Sequence, residues 1–127
     1  MLNDFTQLEV WKKAMELAVK IHKITSAFPK EELYGITSQM RRAASSVPAN
    51  IAEGFGRQTS ADKFHKYVQA RGELIELQSH IHYCRRVRYV TSDESRDLLL
   101  AECSVVHRLL NGLIRRMRPD GNPQPQP

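Results

Sequence analysis

The sequence is poor in the residues that build disulfide frameworks, metal centres and catalytic sites. Only two of its 127 residues are cysteines. Cys84 and Cys103 are far apart, lie in helical patterns and have no second Cys or His at a zinc-ligand spacing, so reduced core thiols are expected. His80 and His82 are two apart and diverge on a helix, while His22, His65 and His107 stand alone; no metal site follows from them. No glycine-rich phosphate loop, activated nucleophile or cofactor signature occurs, so neither an enzyme nor a cofactor is expected. No apolar run approaches the roughly 20 residues that span a bilayer. Met1-Leu2-Asn3-Asp4 lacks the charged and apolar regions of a signal peptide, and a cytoplasmic protein is expected. Apart from Pro29 and Pro48, the prolines all fall in the stretch Pro119 to Pro127. That stretch has no other apolar side chain and reads as a disordered tail of residues 119–127.

What remains is 41% hydrophobic, enough at this length for one core and one domain over residues 1–118. Its apolar residues recur at alternating steps of three and four, which places them on one stripe of a helix and would scatter them over both faces of a strand. The first stripe is Val10, Ala14, Leu17, Ile21, Ile24 and Phe28, stopped by Pro29. A second reads Leu33, Ile36, Met40, Ala43, Val47 and Ile51, its helix starting near Glu31 or near Thr37. Gly54-Phe55-Gly56 then offers glycines for a left-handed terminus.

Thr59 can cap a third helix, with Asp62 favouring its positive end and Tyr67, Ala70, Leu74, Leu77, Ile81 and Cys84 as its stripe. Thr91-Ser92-Asp93-Glu94 reads as a capping box for a fourth, striped by Leu99, Cys103, Val106, Leu110, Leu113 and Met117. Short connections force these helices antiparallel, so the fold class is all-α, an up-down-up-down four-helix bundle. On the fourth helix Leu98, Val105, Leu109 and Ile114 form a second apolar flank. That flank is more than a monomeric bundle needs and predicts self-association.

Pro48 sits inside the second helix, where it removes a backbone hydrogen bond and predicts a bend. Ala43, Ala44, Ser45, Ser46, Ala49 and Ala52 around it are small enough for another helix to approach closely. This region carries a resemblance: Phe28-Pro29, Glu32, Tyr34-Gly35, Gln39, Arg41-Arg42-Ala43-Ala44, then Ser46-Val47-Pro48-Ala49-Asn50-Ile51-Ala52-Glu53-Gly54, continued by Phe64, Ala70, Gly72, Glu73 and Glu76. The pattern covers nearly everything but the tail. It resembles the four-helix-bundle proteins encoded within intervening sequences of bacterial large-subunit ribosomal RNA genes. That family is similar in turn to the accessory variability proteins of diversity-generating retroelements, pentameric bundles that bind nucleic acid alongside a reverse transcriptase. The resemblance implies a homopentamer with a basic surface.

Net charge is +5, which permits attraction to phosphate polymers without demanding it. The topology predicts that one pole gathers Lys12, Lys13, Arg57, Lys63, Lys66, Arg115, Arg116 and Arg118 against only Glu9, Glu16 and Asp62. The opposite pole mixes Lys23, Lys30, Arg85, Arg86 and Arg88 with Glu31, Glu32, Asp93, Glu94 and Asp97 and should be nearly neutral. Cations suit helix C-termini, which accounts for Arg85 and Arg115 but poorly for Lys12, Lys13, Lys63 and Lys66 at helix starts. Few aromatic residues fall near the basic pole, which argues against sequence-specific single-strand recognition. Arg42, Asn50, Glu53 and Glu76 are expected to form a buried structural ion-pair network. A catalytic use of Glu53, Glu73 or Glu76 is disfavoured, since no nucleophile, metal-ligand set or phosphate loop stands beside them. The expected function is a non-enzymatic homo-oligomer binding structured RNA or DNA by charge and shape. The alternative is a protein-interaction scaffold or accessory factor for a reverse transcriptase.

Overall fold

Segments whose apolar side chains fall on one stripe gain by sharing a core, and here four of them do. The structure, a computed structural model, describes residues 2–118; the expected tail lies outside the described residues. Four helices follow in order: α1 (Glu9–Thr25), α2 (Ile36–Phe55), α3 (Ser60–Arg86) and α4 (Asp93–Arg116). Single 3-10 turns, Phe5–Gln7 and Lys30–Glu32, precede α1 and α2. Each helix packs on its two neighbours in the order α1, α2, α3, α4 and back to α1, and the backbones of the diagonal pairs do not approach closely. The bundle is up-down-up-down. Lys20 of α1 reaches Glu102 of α4 at 2.7 Å, and Arg71 of α3 reaches Asn111 of α4 at 3.0 Å.

The core holds Leu17 and Ile21 from α1, Met40 and Ile51 from α2, Leu74, Leu77 and Ile81 from α3, and Val106 and Leu110 from α4, all essentially inaccessible. Each contributes roughly 1.5–3 kcal/mol relative to an exposed side chain. Cys84 and Cys103 lie in this core as free thiols, and burial pushes them up to about 11 and about 12. Thiolate is the nucleophile, so iodoacetamide at pH 8 should label neither residue in the folded protein and both after unfolding. Rapid native-state labelling seen by mass spectrometry would contradict this packing.

Helix ends differ from the sequence expectation in four places. α1 stops at Thr25, short of Phe28. The Thr25 hydroxyl donates to the Ile21 carbonyl at 2.8 Å, and Arg41 of α2 donates to the Thr25 hydroxyl at 2.8 Å and the His22 carbonyl at 3.2 Å. These contacts satisfy the orphan end of α1. Phe28 is nonetheless buried and lies 5.5 Å from the Tyr89 ring. α2 begins at Ile36, in agreement with the later of the two expected starts, and this leaves Leu33 in the preceding turn, 46% exposed and outside the stripe expected to include it. α4 is capped by Ser92, not Thr91: the Ser92 hydroxyl accepts from the Ser95 amide at 3.1 Å. Thr59 caps α3 as expected, accepting from the Asp62 amide.

The fourth difference concerns the glycines. Gly56 ends α2 with φ −80°, a right-handed conformation open to any residue. Gly54 is needed for space: a Cβ there would stand 2.5 Å from Cε1 of buried Tyr67. The left-handed residue is Arg88, with φ 71°. The Arg88 and Tyr89 amides donate to the carbonyls of Arg85 and Cys84 at 3.1 and 2.8 Å. This is the Schellman pattern that usually places glycine where Arg88 stands, and the side chain costs about 1–2 kcal/mol.

α2 runs through Pro48 without interruption, with Pro48 itself buried. The second flank of α4 is largely covered by its own chain: Ile114 is buried, Leu109 packs half-buried on the core, and Leu98 alone stands out at 60% exposed. The self-association argument therefore does not rest on α4. Among the described residues, no helix is long and apolar enough to cross a membrane.

Candidate nucleic-acid interface

Antiparallel packing brings together the starts of α1 and α3, the α2–α3 connection and the end of α4. The cations at this pole fall into two groups. Lys63 donates to the carbonyls of Phe55 at 2.6 Å and Gly54 at 3.3 Å and lies 5.5 Å from the Phe55 ring centroid. It caps the C-terminus of α2, where a cation is favoured. Lys66 pairs with Glu53 at 2.9 Å, and that hydrogen bond, with the Lys66 charge and more weakly Arg57, holds the Glu53 carboxyl below the usual range. Lys13 pairs with Glu16 at 3.7 Å. Of the lysines that suited their own helix starts poorly, Lys63 and Lys66 thus answer acceptors of the neighbouring helix, while Lys13 pairs within α1.

Lys12, Arg57, Arg115 and Arg116 form the second group. All four are exposed, and none has a carboxylate or side-chain hydrogen-bond partner among the described residues. Arg116 lies near Tyr67: burial raises that phenol's pKa and the Arg116 charge opposes the rise. Arg118 is half-buried, with its Nε enclosed and unpartnered among the described residues.

Aromatic side chains are more plentiful here than the sequence suggested. Phe5 and Trp11 stack edge to face with ring centroids 5.3 Å apart, and Phe55 lies half-buried at the end of α2. Phe5 escaped the sequence reading because it precedes every helical stripe. Beside them runs an apolar groove of about 330 Å³ between α1 and α2, lined by Trp11, Met15, Ala18, Pro48, Ala49 and Ala52. The small residues around Pro48 open toward this groove, and no further helix among the described residues fills it.

The four-residue polar network does not assemble as expected. Arg42 reaches Glu73 at 3.1 Å and contacts Glu76, which His80 approaches at 3.3 Å. Arg42 is 53% exposed at its side chain, so the cluster is a surface ion pair spanning α2 and α3 and not a buried one. Both carboxylates, chiefly Glu73, raise the guanidinium's pKa. Asn50 turns back to the Ser46 carbonyl at 2.9 Å, and Glu53 belongs to Lys66. Among the described residues, no three His, Cys, Asp or Glu side chains gather as metal ligands.

The opposite pole is less evenly balanced than its tally suggested. Arg96, outside that tally, joins Arg85 on Asp93 and also takes Asp97, while Glu32 accepts from the Tyr89 hydroxyl at 2.8 Å. Arg86 and Arg88 are left without a carboxylate partner among the described residues.

A search of the curated proteins finds no match. Among solved structures, the chain is similar to a protein of unknown function from the S23 ribosomal protein family of Bacteroides thetaiotaomicron, with 25% identity and a TM-score of 0.77. The match covers 84% of this chain and 95% of that one. A family model described as 23S rRNA-intervening sequence protein matches residues 6–112, from the first turn through most of α4, and the chain therefore belongs to the 23S rRNA-intervening sequence protein family.

Proposed function

We propose that the protein is a non-enzymatic, homo-oligomeric bundle that binds structured nucleic acid, RNA or DNA, through its basic pole. The observation that carries this reading is the split among the cations: Lys13, Lys63 and Lys66 are engaged, while Lys12, Arg57, Arg115 and Arg116 are exposed and, among the described residues, unpaired. Paired cations are explained by the fold. Four exposed ones at one end of the bundle suit phosphate contacts, which fix a backbone by charge without reading bases. Fluorescence anisotropy with a ribosomal RNA stem-loop and a duplex DNA across a salt series tests it. Binding that weakens steeply with salt is expected; no binding at low salt sinks the proposal.

Self-association is the second part, and its seat is the α1–α2 groove occupied by another copy of the chain. Met15 and Val19 beside it are 37% and 46% exposed, apolar surface that a partner helix would cover. In its finer form, implied by the resemblance to accessory variability proteins, the assembly is a pentamer, and a reverse transcriptase could dock on it as an alternative role. Light scattering should return a multiple of the 14.6 kDa chain mass. A fivefold mass supports the pentamer, and a clean monomer removes the oligomer from the proposal.

A further inference from the structure

The end of the bundle away from the candidate interface holds an open cavity of about 520 Å³ at the α3–α4 turn. Its lining is Arg85, Arg86, Arg88, Thr91, Asp93 and Arg96. Asp93 is shared between Arg85 at 2.7 Å and Arg96 at 3.4 Å, and Asp97 adds a contact to Arg96 at 3.0 Å. Four guanidinium groups therefore meet two carboxylates, an excess of two positive charges. Arg86 and Arg88, both exposed, have no side-chain partner among the described residues. Arg88 also holds the left-handed position at the end of α3, where glycine would relieve strain.

We propose that this cavity is a binding site for a diphosphate group, independent of the nucleic-acid pole. Guanidinium forks match phosphate oxygens in bidentate geometry, and the unpaired pair, Arg86 and Arg88, supplies the charge that a diphosphate neutralises. Arg85 and Arg96, held by Asp93, complete the lining. The volume falls in the range of small-ligand sites. Among the described residues no aromatic or aliphatic side chain lines it, so the phosphates are recognised and an attached base is not. Such a group could come from a free nucleotide or from the phosphorylated end of an RNA.

Titration with inorganic diphosphate, followed by calorimetry or by arginine side-chain NMR signals, tests the site. Saturable binding of one diphosphate per chain is expected, with a dissociation constant below about 1 mM. The double variant Arg86→Ala with Arg88→Gly should weaken it roughly tenfold or more, the scale of losing charge-assisted hydrogen bonds. Arg88→Gly relieves backbone strain, so lost binding there is not lost folding, and an unchanged thermal transition verifies it. GDP and ADP should bind alike. A short RNA carrying a 5′-triphosphate, but not its 5′-hydroxyl counterpart, should compete if the natural source is an RNA end; failure of both to compete points to the free nucleotide. Shifts that grow without saturating, or binding undiminished in the double variant, overturn the site. Alanine at Lys12, Arg57, Arg115 and Arg116 should leave diphosphate binding unchanged, which separates this result from the fate of the nucleic-acid proposal.

Discussion

Gly54→Ala should destabilise the bundle by up to about 2 kcal/mol, although alanine is the better helix former by about 1 kcal/mol. The added methyl would stand 2.5 Å from Cε1 and 2.9 Å from Cδ1 of Tyr67, and 3.2 Å from Cβ of Lys66. Tyr67 is 2% exposed, so its ring cannot swing into solvent to make room. Either α2 and α3 separate locally or the ring leaves its rotamer, and overpacking of this sort costs about 1–3 kcal/mol before the propensity gain is subtracted. Gly72→Ala is the matched control: Gly72 also lies in a helix, but nothing approaches its Cβ position within 4 Å. That substitution should stabilise by roughly 0.5–1 kcal/mol. Urea midpoints of the two variants should move in opposite directions, and a shift of the same sign in both would refute the close α2–α3 approach.

Replacing Lys12, Arg57, Arg115 and Arg116 together by alanine should reduce the salt dependence of duplex DNA binding by a slope of roughly 3–4, since each phosphate contact contributes about 0.9. At about 0.1 M salt this corresponds to an affinity loss on the order of a thousandfold. The four side chains are exposed and without a partner among the described residues, so stability should stay within about 0.5 kcal/mol per site. Lys63→Ala separates the groups of cations in the other direction. It removes the cap on Gly54 and Phe55, lowering stability, and leaves the salt slope nearly unchanged. If the quadruple variant keeps the parent slope, the pole is not the phosphate-binding surface. If Lys63→Ala lowers the slope as much as any one of the four, the distinction between paired and unpaired cations fails.

Much of the architecture was legible before any coordinates. The stripes Val10 to Ile21, Met40 to Ile51, Tyr67 to Cys84 and Leu99 to Leu113 all face the core, because a buried helix face is written in the three-and-four spacing of its own residues. Thr59 was readable for the same reason, since a cap acts within one turn. The charged residues at the basic pole could be named from topology alone. Which of them were already committed could not.

Local pattern thus determined the helices, their order and the single core; tertiary structure decided everything that depends on who faces whom. Lys20 meets Glu102 across 82 positions of sequence, Arg42 meets Glu73 across 31, and Lys63 caps a helix other than its own. The reason for Gly54 lies on α3, and the left-handed site fell to Arg88 because the chain must turn there with the hydrogen bonds of a Schellman end. Periodicity is a property of one segment, read along one axis. Charge pairing, close approach and the unpaired guanidinium groups are set by the relative height and rotation of two packed helices, quantities that no single segment contains.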